Sequence, residues 1–268
     1  MPTILNINIK LNKIIKNKLT LDKNMKKHKK IFNWIFNMLF LTYVSIIFFP
    51  QLFFANKLEY KNFSVYYHSN DINTKDLKLV LDKSEKLLKK SDLFNKETSQ
   101  YIFICNGHSE FAFFSHMGRK AFAVNYAICQ NIFISKSSIS QNYVLRNAKE
   151  NNKRTLSGVI AHETVHSLLE NKLGLVKYLL LPSWKNEGYC DFIANESSYN
   201  KQKGIKEICN SYENTNVSSF KYFKYRMMTE YLFEERKVTL GKFLNEDFDL
   251  ENINNNLKEK YCAQWREG

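Results

Sequence analysis

The sequence lacks several features that would point to common classes of protein. It contains no internal repeat, which argues against an architecture of stacked repeat units. No two of its five cysteines have the C-x-x-C spacing that is typical of a structural zinc site. Residues 31–55 contain no charged side chain, and residues 1–30 contain a single acidic residue, Asp22. The last two absences set the N-terminal region apart from the rest of the chain.

This N-terminal region joins a basic segment to an apolar run. Residues 1–30 carry nine lysines and a net charge of +8, which leaves +6 of the chain's +14 for residues 56–268. Because most of the basic excess lies there, no nucleic-acid partner is predicted. Residues 31–49 form a mostly apolar run of nineteen residues, long enough to cross a bilayer as a helix. The preceding lysines would place its N-terminus on the cytoplasmic side.

Two other interpretations of the apolar run stay open. It could belong to a cleaved signal peptide that starts at Met25, with cleavage after Ala55, although Phe53 is large for the −3 position. It could also be a buried core helix. We predict a basic cytoplasmic segment (1–30), a transmembrane anchor or signal peptide (31–55) and a domain (56–268) displayed outside the cytoplasm, membrane-anchored or secreted.

Residues 162–166 read HETVH, the HExxH pattern. On an α-helix His162 and His166 lie one turn apart on the same face, so both imidazoles can bind one metal ion. Glu163 is placed to reach a metal-bound water, from which a carboxylate can take a proton. Hydroxyl side chains near Thr155 predict the start of this helix, and Gly174 predicts its end.

A second segment, residues 181–194, supplies further carboxylates. Pro182 suits the first turn of a helix, and on that helix Glu187 and Asp191 are i and i+4. Glu187 would complete the three protein ligands of an open catalytic zinc site. Asp191 would accept the free ring N–H of a ligand histidine. Gly188 would let this helix approach a neighbour closely.

HETVH followed by LPSWKNEGYCDFIA resembles the gluzincin branch of the zincin metallopeptidases, and most closely the peptidase MA-like domains. The resemblance implies that His162, His166 and Glu187 bind Zn²⁺, that Glu163 is the general base, and that Asp191 is the outer carboxylate. The chain lacks the third histidine of metzincins and the G-x-M-x-N segment of aminopeptidase relatives, which favours an endopeptidase.

The resemblance implies an α+β zincin-like fold with a small mixed sheet, an active-site helix and C-terminal helices. The sheet would precede the active-site helix, and its edge strand would hold extended substrate. Alternation and helical spacing predict strands at 63–67, 101–105 and 131–135, a helix at 74–90, and two or three helices within 217–236 and 238–263. Asparagine-rich stretches at 141–153, 210–219 and 252–256 are predicted to be solvated loops.

Two further predictions concern single residues. Cys105 ends one predicted strand and Cys129 closely precedes another, so they are a candidate disulfide. Cys190 would point away from Glu187 and Asp191 on the helix and is interpreted as a small buried residue rather than a ligand. Gluzincins often take an oxyanion hydrogen-bond donor from a downstream helix. Within the aromatic stripe of residues 220–225, we choose Tyr225 over Tyr222 for this role.

The sequence therefore predicts a zinc metallopeptidase that hydrolyses a peptide or protein substrate. One alternative is a non-catalytic zincin-like domain that binds a peptide or an envelope partner, but a purely structural zinc site would not need Glu163. Another is a membrane-surface binding module whose residues 1–30 contact anionic lipid. Deleting those residues would abolish lipid binding but not peptidase activity.

Overall fold

The structure is a computed structural model of the 268-residue chain. It describes residues 2–68, 72–95, 97–210 and 218–262, with the backbone alone for 2–24, 117 and 127. The chain divides into two compact units, Met1–Pro50 and Gln51–Gly268. The boundary predicted between residues 55 and 56 lies a few residues further along.

The first unit is a single long helix, α1 (Pro2–Phe48). Its part Met25–Phe48 is long and apolar enough to cross a membrane, and most of its large apolar side chains are exposed. The predicted apolar N-terminal helix is therefore confirmed. Length and composition suit a signal sequence as well as an anchor.

A mixed five-stranded sheet forms one layer of the second unit, in the order β1-β2-β3-β5-β4. The pairs β2–β3 and β3–β5 are parallel, whereas β1 and β4 pair antiparallel at the two edges. The predicted α+β class is thus confirmed, and so are the three predicted strands, one of them shifted by one residue and one shorter by one residue. The strands are β1 (Asn56–Tyr60), β2 (Phe63–Tyr67), β3 (Gln100–Ile104), β4 (Ala123–Tyr126) and β5 (Asn131–Ile134).

Helices cover this sheet and make up the C-terminal half of the unit. They are α2 (Thr74–Leu88), α3 (His108–Ser115), α4 (Leu156–Leu173), α5 (Leu175–Leu180), α6 (Ser183–Ala194), α7 (Lys201–Cys209), α8 (Ser218–Glu230), α9 (Leu240–Asn245) and α10 (Leu250–Cys262). A π-helical turn, Tyr231–Glu235, extends α8. A second sheet of three short strands contains β6 (Ser137–Ser138), β7 (Tyr143–Leu145) and β8 (Lys153–Thr155).

Helix α4 is the central element of the core. Every residue from Leu156 to Leu169 is buried, so this helix has no polar outer face. The side chain of Thr155 accepts a hydrogen bond from the backbone N–H of Gly158, and Gly174 ends the helix with a φ of 75°. Both predicted ends are confirmed. The histidines of HExxH therefore lie on a rigid, buried scaffold.

Helix α6 packs closely on α8, as the glycine between its two carboxylates predicts. A Cβ atom at Gly188 would lie 2.8 Å from the carbonyl oxygen of Tyr225 and 2.4 Å from the hydroxyl of Thr229. Because the backbone of Tyr225 cannot move aside as a side chain can, a residue larger than glycine at position 188 would push the two helices apart. Gly188 therefore fixes the distance between α8 and the helix that carries Glu187.

The cysteine pairing differs from the prediction. Cys209, at the end of α7, is bonded to Cys262, at the end of α10, whereas Cys105 and Cys129 are both free. Cys105 is buried at the end of β3, and Cys129 lies in the turn before β5, where its thiol donates to the carbonyl of Tyr126 at 3.4 Å. The observed bond spans 53 residues of sequence, a separation for which loop-closure entropy gives about 4 kcal/mol of stabilisation.

Two predicted loops are also corrected. Residues 252–256 lie inside α10, because Ile253 and Leu257 are spaced i, i+4 and both are buried. Residues 141–153 contain β7 and the first residue of β8, which pair with each other. Of the stretch 210–219, residues 211–217 lie outside the described part of the chain, and 218–219 begin α8.

Candidate metal centre

Three atoms that can bind a metal converge where α4 meets α6. The Nε2 atoms of His162 and His166 are 3.2 Å apart. Glu187 of α6 reaches both rings, with Oε2 3.4 Å from Nε2 of His162 and Oε1 3.9 Å from Nε2 of His166. The structure thus brings together the three residues that the sequence predicts as ligands.

The outer nitrogen of each ring is held by a hydrogen-bond acceptor. Nδ1 of His162 lies 2.8 Å from Oδ1 of Asp191, and Nδ1 of His166 lies 3.0 Å from Oδ1 of Asn186. Because both oxygens can only accept, each Nδ1 carries a hydrogen, which leaves Nε2 of each ring as the atom that can hold a metal ion. The predicted contact of Asp191 with a histidine is therefore present, and the two Nε2 atoms face the same point.

The spacing of these atoms fits a tetrahedral metal ion. Ligand atoms held about 2.0–2.1 Å from zinc at tetrahedral angles are about 3.3–3.4 Å apart. The two nitrogens here are 3.2 Å apart, Oε2 of Glu187 is 3.4 Å from Nε2 of His162, and the other carboxylate oxygen, Oε1, is 3.9 Å from Nε2 of His166. Without a cation, two nitrogen lone pairs and a carboxylate would repel one another at these distances. The donor set of two imidazoles and one carboxylate leaves a fourth position open.

Asp191 is itself held by an arginine that the sequence analysis missed. Nη2 of Arg154, on β8, lies 2.9 Å from Oδ1 of Asp191, and Nε lies 3.0 Å from Oε1 of Glu196. The Arg154 side chain is only 8% exposed, so this ion pair is shielded from water. Arg154 therefore fixes the carboxylate that orients His162.

The surrounding charges favour positive charge at the convergence point. Burial opposes ionisation of Asp191, but Arg154 and His162 together hold the pKa of its carboxyl below the usual value. Burial would lower the pKa of His162, and the Asp191 carboxylate outweighs it and raises that pKa. Either a proton or a metal cation on the two rings would balance the negative charge of the Asp191 carboxylate.

Cys190 is buried as predicted, but its thiol lies against the site. Sγ is 3.3 Å from Nδ1 of His166. Metal-binding atoms of His162, His166 and Cys190 all lie within 4.8 Å of one another, which makes a buried His-His-Cys cluster that is compatible with metal binding. The predicted burial of Cys190 is therefore confirmed, but its thiol lies where it could also bind a metal. Since α6 lies directly on α4, position 190 faces α4 as well.

A cleft of about 290 Å³ opens beside the three converging atoms. Glu163 lines it and is 8% exposed, and burial raises the pKa of its carboxyl against the opposing fields of the two histidines. Strand β4 forms one wall through Ala123 and Asn125. The amide nitrogen of Asn125 donates to the backbone carbonyl of Glu163 at 2.6 Å. This bond fixes the edge of the sheet to α4 beside the candidate base.

The two tyrosines considered for the oxyanion role lie in different places on α8. Tyr222 lines the cleft, and burial followed by Glu187 and Asp191 raises the pKa of its hydroxyl. Tyr225 lines a different pocket, next to Leu250. The structure therefore places Tyr222, and not Tyr225, beside the converging ligands.

The sequence analysis also missed Asn186 and Tyr178. Asn186 directly precedes Glu187 and lies one helical turn before Cys190. That spacing puts its side chain on the side of α6 that faces His166, so this contact could have been inferred from the sequence. The hydroxyl of Tyr178, on α5, lies 3.3 Å from Nδ1 of His166, a contact that no local pattern predicts.

Comparison of the chain with models of known protein families, and with curated proteins, gives no match.

Proposed function

We propose that the protein is a zinc-dependent peptidase. The observation that carries the proposal is the convergence of two histidine lone pairs and the Glu187 carboxylate beside the cleft lined by Glu163. A metal site with a purely structural role would not need a buried carboxylate next to its open position. The α+β fold, with a mixed sheet ahead of α4, supports a zincin-like architecture.

In the proposed reaction Glu163 is both the general base and the general acid. A bound zinc ion would supply Lewis acidity, which acidifies a water molecule and polarises the peptide carbonyl. Glu163 accepts the proton of the attacking water and delivers it to the leaving amine nitrogen. Burial raises the pKa of the Glu163 carboxyl, which favours its taking up the proton that it later delivers to the amine. Tyr222 donates a hydrogen bond to the oxyanion.

Strand β4 offers a binding edge for the peptide. It pairs with β5 on one side, and residues of β4 line the cleft. An extended peptide could add to this strand by backbone hydrogen bonds, which would align a scissile bond with the site. Endopeptidase action remains a prediction from the sequence.

We propose that the second unit lies outside the cytoplasm. The apolar helix Met25–Phe48 follows a lysine-rich segment, which favours a cytoplasmic N-terminus. The Cys209–Cys262 disulfide fits an oxidising compartment. The helix would then be either the membrane anchor or a signal sequence.

Removal of the metal should abolish activity reversibly. Purified full-length protein is expected to contain close to one zinc ion per chain and to cleave members of a mixed peptide library. Dialysis against a chelator should remove both the zinc and the cleavage, and added zinc should restore both, because the residues alone supply no activated water. A folded protein that takes up no zinc would refute the proposal.

Tyr222→Phe should lower kcat by about 10²-fold with little change in KM, because an oxyanion donor acts in the transition state. The matched control is Tyr225→Phe, which removes a hydroxyl from the same helix outside the cleft and should leave kcat unchanged. Steady-state kinetics on one peptide would check both. Equal loss in the two variants, or loss only in Tyr225→Phe, would contradict the placement of Tyr222.

A further inference from the structure

Helix α5 turns its apolar face away from the core. Leu175, Val176, Leu179 and Leu180 are 40%, 72%, 71% and 77% exposed. At one turn per 3.6 residues, their positions cover an arc of about 140° on one side of the helix. Tyr178 lies on the other side, where its hydroxyl contacts His166. A surface helix normally has the opposite arrangement, with its apolar stripe towards the core.

A fifth exposed apolar residue lies in a turn that is bonded to the end of α4, just before α5. Ile128, in the turn between β4 and β5, is 66% exposed. Two residues later, the side chain of Gln130 donates to Asn171 near the end of α4 at 3.3 Å, and α5 follows one residue after α4. The turn is therefore fixed to the part of the chain from which α5 starts. We call Ile128 together with the four apolar residues of α5 the apolar patch.

The segment that contains α5 is basic, although the acidic Glu170 lies near the turn that carries Ile128. Residues 171–182 contain Lys172 and Lys177, both exposed, and no acidic residue. An exposed group of large apolar side chains next to lysines is the composition of an interfacial membrane helix, in which leucines enter the acyl boundary and lysines reach headgroup phosphates.

The chain also joins the second unit to the apolar helix through a short connection. Seven residues, 49–55, connect the end of α1 to the start of β1. Fully extended, they span at most about 25 Å. When the apolar helix Met25–Phe48 crosses a membrane, the second unit begins within that distance of the headgroups. Insertion of the patch then costs little translational entropy, because the domain is already tethered.

We propose that the apolar patch is a lipid-contacting surface that inserts into the outer part of the bilayer. Tyr178 connects it to the candidate metal centre, since the same short helix contacts lipid on one side and His166 on the other. One consequence rests on the proposed function: a cleft held in this way would take peptide segments that lie close to the membrane surface.

The experiment uses the full chain in vesicles and does not depend on activity. In a Cys129→Ser background, a single cysteine at Val176 carries a polarity-sensitive dye, and Leu79→Cys provides the matched control on α2, where Leu79 is 58% exposed. The other free cysteines, Cys105 and Cys190, are buried and should not be labelled. We expect a blue-shifted emission and quenching by acyl-chain nitroxides for the dye at 176, and neither for the dye at 79.

Vesicles with and without phosphatidylglycerol test the role of the lysines. The inserted fraction should rise with anionic lipid and fall at high salt. The double variant Leu179→Asp, Leu180→Asp should lower insertion of the dye at 176 by at least about tenfold, because two leucines that would enter the bilayer are replaced by charges.

Two results would overturn the proposal. One is a dye at 176 that reports the same aqueous environment as the dye at 79. The other is a blue shift that appears in detergent as the protein concentration rises and that vesicles do not increase, which would make the patch a contact between copies of the chain. The zinc content of each sample, measured in parallel, keeps a failure of the proposed function distinguishable from a failure of insertion.

Discussion

Replacement of Glu163 by glutamine is expected to abolish peptide hydrolysis while the protein keeps its zinc ion. Glutamine matches glutamate in size but cannot take a proton from water, so the reaction loses its base and the proton donor to the amine. General acid–base catalysis contributes roughly 10²–10⁴-fold, and here one residue serves both steps. We therefore expect kcat to fall by at least about 10³-fold.

The matched control is Glu170→Gln, two turns further along α4. Glu170 is only partly buried and lies outside the cleft, so this variant makes the same chemical change on the same helix. Its activity and zinc content should equal those of the unchanged protein. Turnover retained in Glu163→Gln would remove Glu163 from the mechanism, and loss of zinc in that variant would assign it a ligand role instead.

Local signals in the sequence predict most of α4 and its two histidines. A hydroxyl N-cap at Thr155, a glycine at Gly174 and an i, i+4 histidine pair are each readable within one helix, and all three are observed. The strands at 63–67, 101–105 and 131–135 are equally local, because alternation of side chains along a strand needs no distant partner. Single elements are thus predictable without knowing how they pack.

Features that depend on packing between distant elements are predicted less well. The rotation of α8 decides which tyrosine reaches the cleft, and the close contact of Gly188 with the backbone of Tyr225 fixes that rotation. Cys209 and Cys262 meet because α7 and α10 lie side by side, which no spacing along the chain reveals. Arg154 precedes α4 by two residues but contacts Asp191 through the fold.

The structure offers two candidates for the third metal ligand, Glu187 and Cys190, which lie about one turn apart on α6. We expect Glu187→Ala to lose zinc and Cys190→Ser to retain it. Glu187 lies on the side of both Nε2 lone pairs, whereas the thiol of Cys190 lies 3.3 Å from Nδ1 of His166, the nitrogen that donates to Asn186. Burial also raises the pKa of Cys190 well above its usual value, which opposes the thiolate that zinc requires.

The measurement is the zinc affinity of each variant beside that of His166→Ala, which should also lose the metal. Loss of a ligand should cost more than the roughly 10–100-fold that follows the loss of an outer hydrogen-bond partner. Circular dichroism of the zinc-free proteins would show that each variant is folded. If Cys190→Ser lost zinc and Glu187→Ala kept it, the ligands would be His162, His166 and Cys190. Glu187 would then be a second carboxylate able to act on water, and the turnover of Glu163→Gln would decide which of the two is the base.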